Sequence, residues 1–125
     1  MIVRRGEAQP ETWFREGCWI TEWSNLPEDP AASIARARVP AGGTTRWHAL
    51  DGITERYVIL AGTGRVEIGQ AEPVDVAPGD VIVIAPFEPQ RITSTGEVDL
   101  IFLAICTPRF RPEAYREVPP PAAAG

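Results

Sequence analysis

The sequence predicts an all-β domain of the sandwich or closed-barrel kind. Three observations carry this reading: 13 prolines and 11 glycines interrupt the 125 residues every few positions, short runs rich in β-branched and aromatic residues lie between them, and almost no segment shows a helical period. The strand candidates are 18–23, 33–39, 55–61, 64–68, 81–84, 90–93 and 100–106. One domain, 1–118 with a core of about 17–108, accounts for a chain of this length.

Each element follows from its own residues. In 18–23 (Cys-Trp-Ile-Thr-Glu-Trp) and 100–106 (Leu-Ile-Phe-Leu-Ala-Ile-Cys), aromatic and branched side chains favour a pleated surface. In 33–39, Arg36 and Arg38 share one face while Ala35, Ala37 and Val39 share the other. If the arginines faced inward they would anchor a carboxylate or phosphate; facing outward they would pair with surface carboxylates. Pro27-Glu-Asp-Pro30 and 69–73 read as loops. A helical turn is expected at 112–117, where proline stands first, and the Pro/Ala-rich 119–125 reads as a disordered tail.

Composition excludes several classes. The formal net charge is -5 and the arginines are scattered, which argues against nucleic acid, whose binding rests on clustered cations. All 12 basic residues are arginine, so a lysine Schiff base is excluded. No apolar run is long enough for a membrane span, and the first residues turn polar too early for a signal peptide, so a cytoplasmic location is expected. Cys18 and Cys106 then read as free buried thiols rather than a disulfide. There is no Gly-x-Ser-x-Gly elbow, and Gly62-Thr63-Gly64 is too short for a phosphate-binding loop.

Two stretches stand out. The first contains Gly42, His48, Leu50, Glu55 and Gly62; the second contains Gly79, Asp80, Ala85, Phe87, Gln90 and Ser94. Together they resemble the two signature motifs of the cupin family. The first motif runs Gly, five residues, His-x-His, three or four residues, Glu, six residues, Gly. Gly42, His48, Glu55 and Gly62 fall in that register, with Leu50 at the second histidine. The second motif runs Gly, five residues, Pro-x-Gly, two residues, His, three residues, Asn. Gly79 fits, Ala85 stands for the proline, Phe87 for the glycine, Gln90 for the histidine and Ser94 for the asparagine.

The resemblance implies a cupin-type double-stranded β-helix, or jelly-roll barrel, in which His48, Glu55 and Gln90 converge on the lumen. Such barrels commonly hold one divalent metal on three histidines and one glutamate. Here the single histidine of the chain falls on a ligand position. His48, Glu55 and Gln90 would make a reduced nitrogen-and-oxygen set suited to zinc, manganese, iron or nickel. Against this stands a plain alternative: a lone hydrogen-bonded histidine, Glu55 paired with Arg46 or Arg56, and Gln90 as a hydrogen-bonded barrel residue.

The expected function is a small-molecule-binding cupin, read first as a metal-dependent enzyme on a small oxygenated substrate. His48 and Glu55 are its catalytic candidates, and burial would raise Glu55 toward neutrality as a general base. Arg46, Leu50, Tyr57 and Ile92 are the candidate substrate-pocket residues. The alternatives are a metal-free binding module for a sugar or organic acid, and a metal-free isomerase or epimerase using His48. The aromatic segment 13–23 suits a homodimer interface, and Trp19, Trp23 and Trp47 read as core or interface residues.

Overall fold

The computed structural model describes residues 1–122. Eleven strands follow in order: β1 (Glu11–Phe14), β2 (Cys18–Ser24), β3 (Ser33–Val39), β4 (His48–Leu50), β5 (Thr54–Ala61), β6 (Gly64–Ile68), β7 (Val74–Val76), β8 (Val81–Ile84), β9 (Gln90–Ser94), β10 (Leu100–Thr107) and β11 (Tyr115–Glu117). They form a six-stranded sheet, β1-β2-β3-β10-β5-β8, and a five-stranded sheet, β11-β4-β9-β6-β7. Every pairing between them is antiparallel. The two sheets close into the jelly-roll barrel that the motifs imply.

Alternation decides which side chains fill it. On β3, Ala37 and Val39 are buried, while Arg36 and Arg38 turn outward to Glu11 and Asp99. On β8, Ile82 and Ile84 point in, and Val81 and Val83 are exposed. One apolar cluster holds Val39, Tyr57, Ile59, Val66, Ile84, Ile92, Leu100 and Phe102 among others. A smaller one joins Leu50, Ile53, Cys106 and Tyr115, with Phe14 and Phe110 packed against it.

Four short strands, β1, β4, β7 and β11, lie outside the strand ranges read from the sequence, β4 being placed only by the motif. β1 and β7 have only four and three residues and take their conformation from the neighbours β2 and β6. At the C-terminal end the helical turn spans only Pro112–Ala114. Tyr115–Glu117, expected to continue it, is instead the strand β11, paired with β4 in the register Tyr115↔Leu50 and Glu117↔His48. An extended backbone seats the Tyr115 ring against Phe14 and His48, burial that a continued helical turn would forgo. Of the tail, Pro119–Ala122 carries no regular structure, and the rest of 119–125 lies outside the described residues.

Two backbone details support the motif register. Gly62, in the turn from β5 to β6, has φ +76, and a Cβ there would collide with the Asp99 carbonyl. Phe87 stands where the second motif has glycine and keeps the left-handed backbone, with φ 69. Its amide donates to the Leu50 carbonyl at 3.0 Å, so the contact holds the conformation despite the side chain.

Candidate functional site

The site is built around β4, whose residues His48, Ala49 and Leu50 are all buried. His48 sits opposite Gln90 on β9. Its Nδ1 lies 2.7 Å from the Arg46 backbone carbonyl and its Nε2 lies 2.9 Å from Oε2 of Glu16. A backbone carbonyl on one nitrogen and a carboxylate on the other favour the doubly protonated imidazolium. Burial works against that charge, but the hydrogen bond and charge of Glu16, with the Arg46 carbonyl, prevail and raise the pKa to about 9.

Glu16 lies in the turn between β1 and β2. Gly17 makes that turn with φ 106, and the Glu16 carbonyl accepts from the Arg46 amide at 2.7 Å, tying the turn to the approach to β4. Burial opposes the ionised carboxylate, yet hydrogen bonds from His48 and from the Cys18 thiol (3.2 Å) hold its pKa below the usual value. Burial and the Glu16 charge push the Cys18 thiol far up.

Glu55 on β5 is the second acidic group. Burial, then the charge of Glu16, raises its pKa to about 7, against the opposing pull of His48 and Gln90. Gln90 Nε2 donates to Glu55 Oε1 at 3.0 Å, and the Tyr57 hydroxyl donates to Gln90 Oε1 at 2.8 Å. The other Glu55 oxygen has only the Cys106 thiol, at a long 3.8 Å. Burial, then Glu55, keeps Cys106 protonated.

These groups line or underlie a cavity of about 440 Å³ within the barrel. Glu16, His48, Glu55, Tyr57, Leu50 and Cys106 contribute to its wall, with Phe14, Phe102, Phe110 and Tyr115 as aromatic surface. Of the expected pocket residues, Leu50 and Tyr57 are therefore in place, and two are not. Arg46 precedes β4, so strand parity does not carry its side chain inward; it is 65% exposed and pairs with Glu117 at 3.4 Å. Only its backbone serves the site. Ile92 is 1% exposed and packs into the larger apolar cluster rather than the cavity wall. Arg36 and Arg38 take the outward alternative, and Glu55 pairs with neither Arg46 nor Arg56. Both cysteines are free and buried.

The expected metal set does not fit this arrangement. Both nitrogens of His48 are engaged as donors, and the Gln90 carbonyl is turned to Tyr57 with its amide nitrogen on Glu55. Among the described residues no three His, Cys, Asp or Glu side chains gather as an ion-binding group. The partner that engages Nε2, Glu16, was not among the candidates. Nothing local marks it, because its role arises from where the β1–β2 turn packs.

A barrel with this lumen defines a class. The cupin domain model matches residues 35–106, and the chain belongs to the cupin family. It is 33% identical over 112 residues to the oxalate-binding protein of Thermotoga maritima, covering 84% of this chain and 92% of that protein. The crystal structure of a predicted oxalate decarboxylase from Thermotoga maritima superposes with a TM-score of 0.75 at 24% identity, covering 85% of this chain and 98% of the other. Pac13, a nucleoside dehydratase of Streptomyces, superposes with a TM-score of 0.78 at 17% identity, covering 98% and 94%. These likenesses to solved structures establish the jelly-roll fold. No described helix is long and apolar enough to cross a membrane.

Proposed function

We propose that the lumen binds a small oxygenated organic molecule and moves a proton on it without a metal. Glu55 is the base and the His48–Glu16 pair is the fixed charge beside it. The observation that carries this reading is a buried carboxylate in the cavity wall with one oxygen held by Gln90 and the other met only by a distant thiol among the described residues; burial, then Glu16, raises its pKa to about 7. A base poised near neutral pH accepts and returns a proton with little mismatch. The His48–Glu16 pair sets the local field in which Glu55 holds or releases its proton. Tyr57, through Gln90, holds the Glu55 carboxylate in orientation.

The metal-dependent reading is weaker, because its nitrogen donor and its amide oxygen both have protein partners. A metal-free binding module remains as a second reading. It is favoured by the same saturation of His48, which leaves no N–H of the ring free for a ligand. Ligand binding is what both readings share with the named oxalate-binding relative.

Solvent exchange separates them. Hydroxy acids, aldoses and ketoses are incubated with the untagged protein in D₂O, and proton NMR follows loss of signal at carbons next to carbonyl groups. Exchange by the wild type, its loss in Glu55→Gln, and metal content far below one per chain are expected. Exchange that needs added metal would remove the proposal, and binding without exchange would leave the module. The reading also includes a cytoplasmic homodimer joined through the N-terminal strands, where Trp13 on the edge strand β1 is 54% exposed. A monomeric mass by light scattering at micromolar concentration would remove the dimer.

A further inference from the structure

We infer that the lumen selects an uncharged, hydroxyl-bearing ring compound and rejects small dianions such as oxalate. This rests on the reading that the lumen is the ligand site, and it departs from what the name of the oxalate-binding relative would suggest.

The charges around the cavity decide the sign of the ligand. Glu16 and Glu55 lie in its wall and Glu22 joins them from β2. The cations in the wall are His48 and Arg4. His48 is already matched, since both its N–H groups are held by Glu16 and the Arg46 carbonyl. Arg4 comes from the N-terminal segment and, like Glu22, is an exposed part of the wall. Recognition of a dicarboxylate calls for a guanidinium fork or an ion inside the barrel. The arginines of the barrel strands face the other way: Arg36 and Arg38 reach Glu11 and Asp99, and Arg91 pairs with Glu67. A dianion entering would meet Glu55, Glu16 and Glu22 in the wall, against only the exposed Arg4 guanidinium among the described lining residues, and like-charge contact in a buried site is strongly unfavourable.

The hydrogen-bonding capacity points the same way. Oε1 of Glu55 accepts from Gln90, whereas Oε2 has only the distant thiol. That oxygen needs a donor. A ligand hydroxyl supplies one and a fully ionised dicarboxylate does not. The cavity wall also carries the aromatic side chains of Phe14, Phe102, Phe110, Tyr57 and Tyr115. Phe14 meets Tyr115 edge-to-face at 5.0 Å and Phe110 at 6.2 Å, a surface shaped for the C–H face of a ring. The cavity of about 440 Å³ falls within the range that encloses ligands far larger than oxalate.

The test is direct binding, which is independent of any turnover. Saturation-transfer NMR and thermal shift are run at pH 8 with oxalate on one side, and with myo-inositol, methyl glucoside and phenyl glucoside on the other. At least one polyol is expected to bind, with oxalate at least ~10-fold weaker. In Glu55→Gln, which keeps the shape and removes the charge, that preference shrinks: polyol affinity falls about 3- to 10-fold with the lost charged acceptor, and oxalate affinity rises. Oxalate binding the wild type as tightly as the best polyol would overturn the inference, as would silence from all three polyols. Failure of proton transfer alone, with polyol preference intact, would strike the catalytic reading and leave this one standing.

Discussion

Replacing Glu16 with glutamine removes one charge while keeping the volume, and its consequence can be worked out from the contact it makes. His48 lies between two forces. Burial disfavours the imidazolium, and Glu16 at 2.9 Å restores it, raising the pKa from 6.5 to about 9. That difference corresponds to about 3 kcal/mol of pH-dependent stability. The folded state holds the proton more tightly than the unfolded chain, so the contribution is complete below pH 6.5 and is lost as pH rises through 9. In Glu16→Gln the burial remains and the opposing charge is gone, so the His48 pKa falls well below its wild-type value. Urea melts at pH 6 and pH 10 should show the wild type losing about 3 kcal/mol of this contribution, and the variant losing little of it. The chain has one histidine, so ¹⁵N imidazole NMR reads this ring without assignment. Two pyrrole-type nitrogens at pH 7 are expected in the wild type and a neutral ring in the variant. A neutral wild-type ring at pH 7, or a variant that titrates at the wild-type midpoint, would refute the reasoning.

Glu55→Gln removes a carboxylate whose pKa is raised from 4.5 to about 7; its stabilising contribution is present below pH 4.5 and lost through pH 7, so the variant should exceed the wild type by about 3 kcal/mol at pH 8 and match it near pH 4.5 in urea melts. Tyr57→Phe leaves the buried Gln90 oxygen without its donor and should cost about 1 kcal/mol in the same assay, with a weaker hold on Glu55 seen as reduced exchange activity. Phe87→Gly relieves a left-handed backbone at an exposed side chain and should stabilise by about 0.5 to 1 kcal/mol after the entropy of glycine is set against it.

Much of the barrel is legible in the sequence because strand burial repeats every second residue. The alternation in 33–39 separates Ala37 and Val39 from Arg36 and Arg38, and the structure puts the arginines outside; on β8, Ile82 and Ile84 are the inward pair. The spacing from His48 to Glu55 likewise places both on lumen-facing positions of β4 and β5. Short strands are less legible. β1, β7 and β11 have too few residues for a period to emerge, and their pairing partners supply what their own sequences lack. Parity also fails for Arg46, because the strand begins only at His48.

The sequence by itself therefore determines the fold family, the inward positions of His48 and Glu55, and the loss of two imidazoles at Leu50 and Gln90. Only the tertiary structure decides the chemistry of those groups. Glu16 comes from a turn more than thirty residues before His48 and reaches it because β1 and β2 pack against the barrel. That one contact sets the charge of His48 and occupies the nitrogen a metal would need. The orientation of Gln90 is likewise fixed by Tyr57 on one side and Glu55 on the other. Residue spacing specifies which side chains face a lumen, but protonation and donor direction depend on the partners that closure of the barrel brings within 3 Å or so.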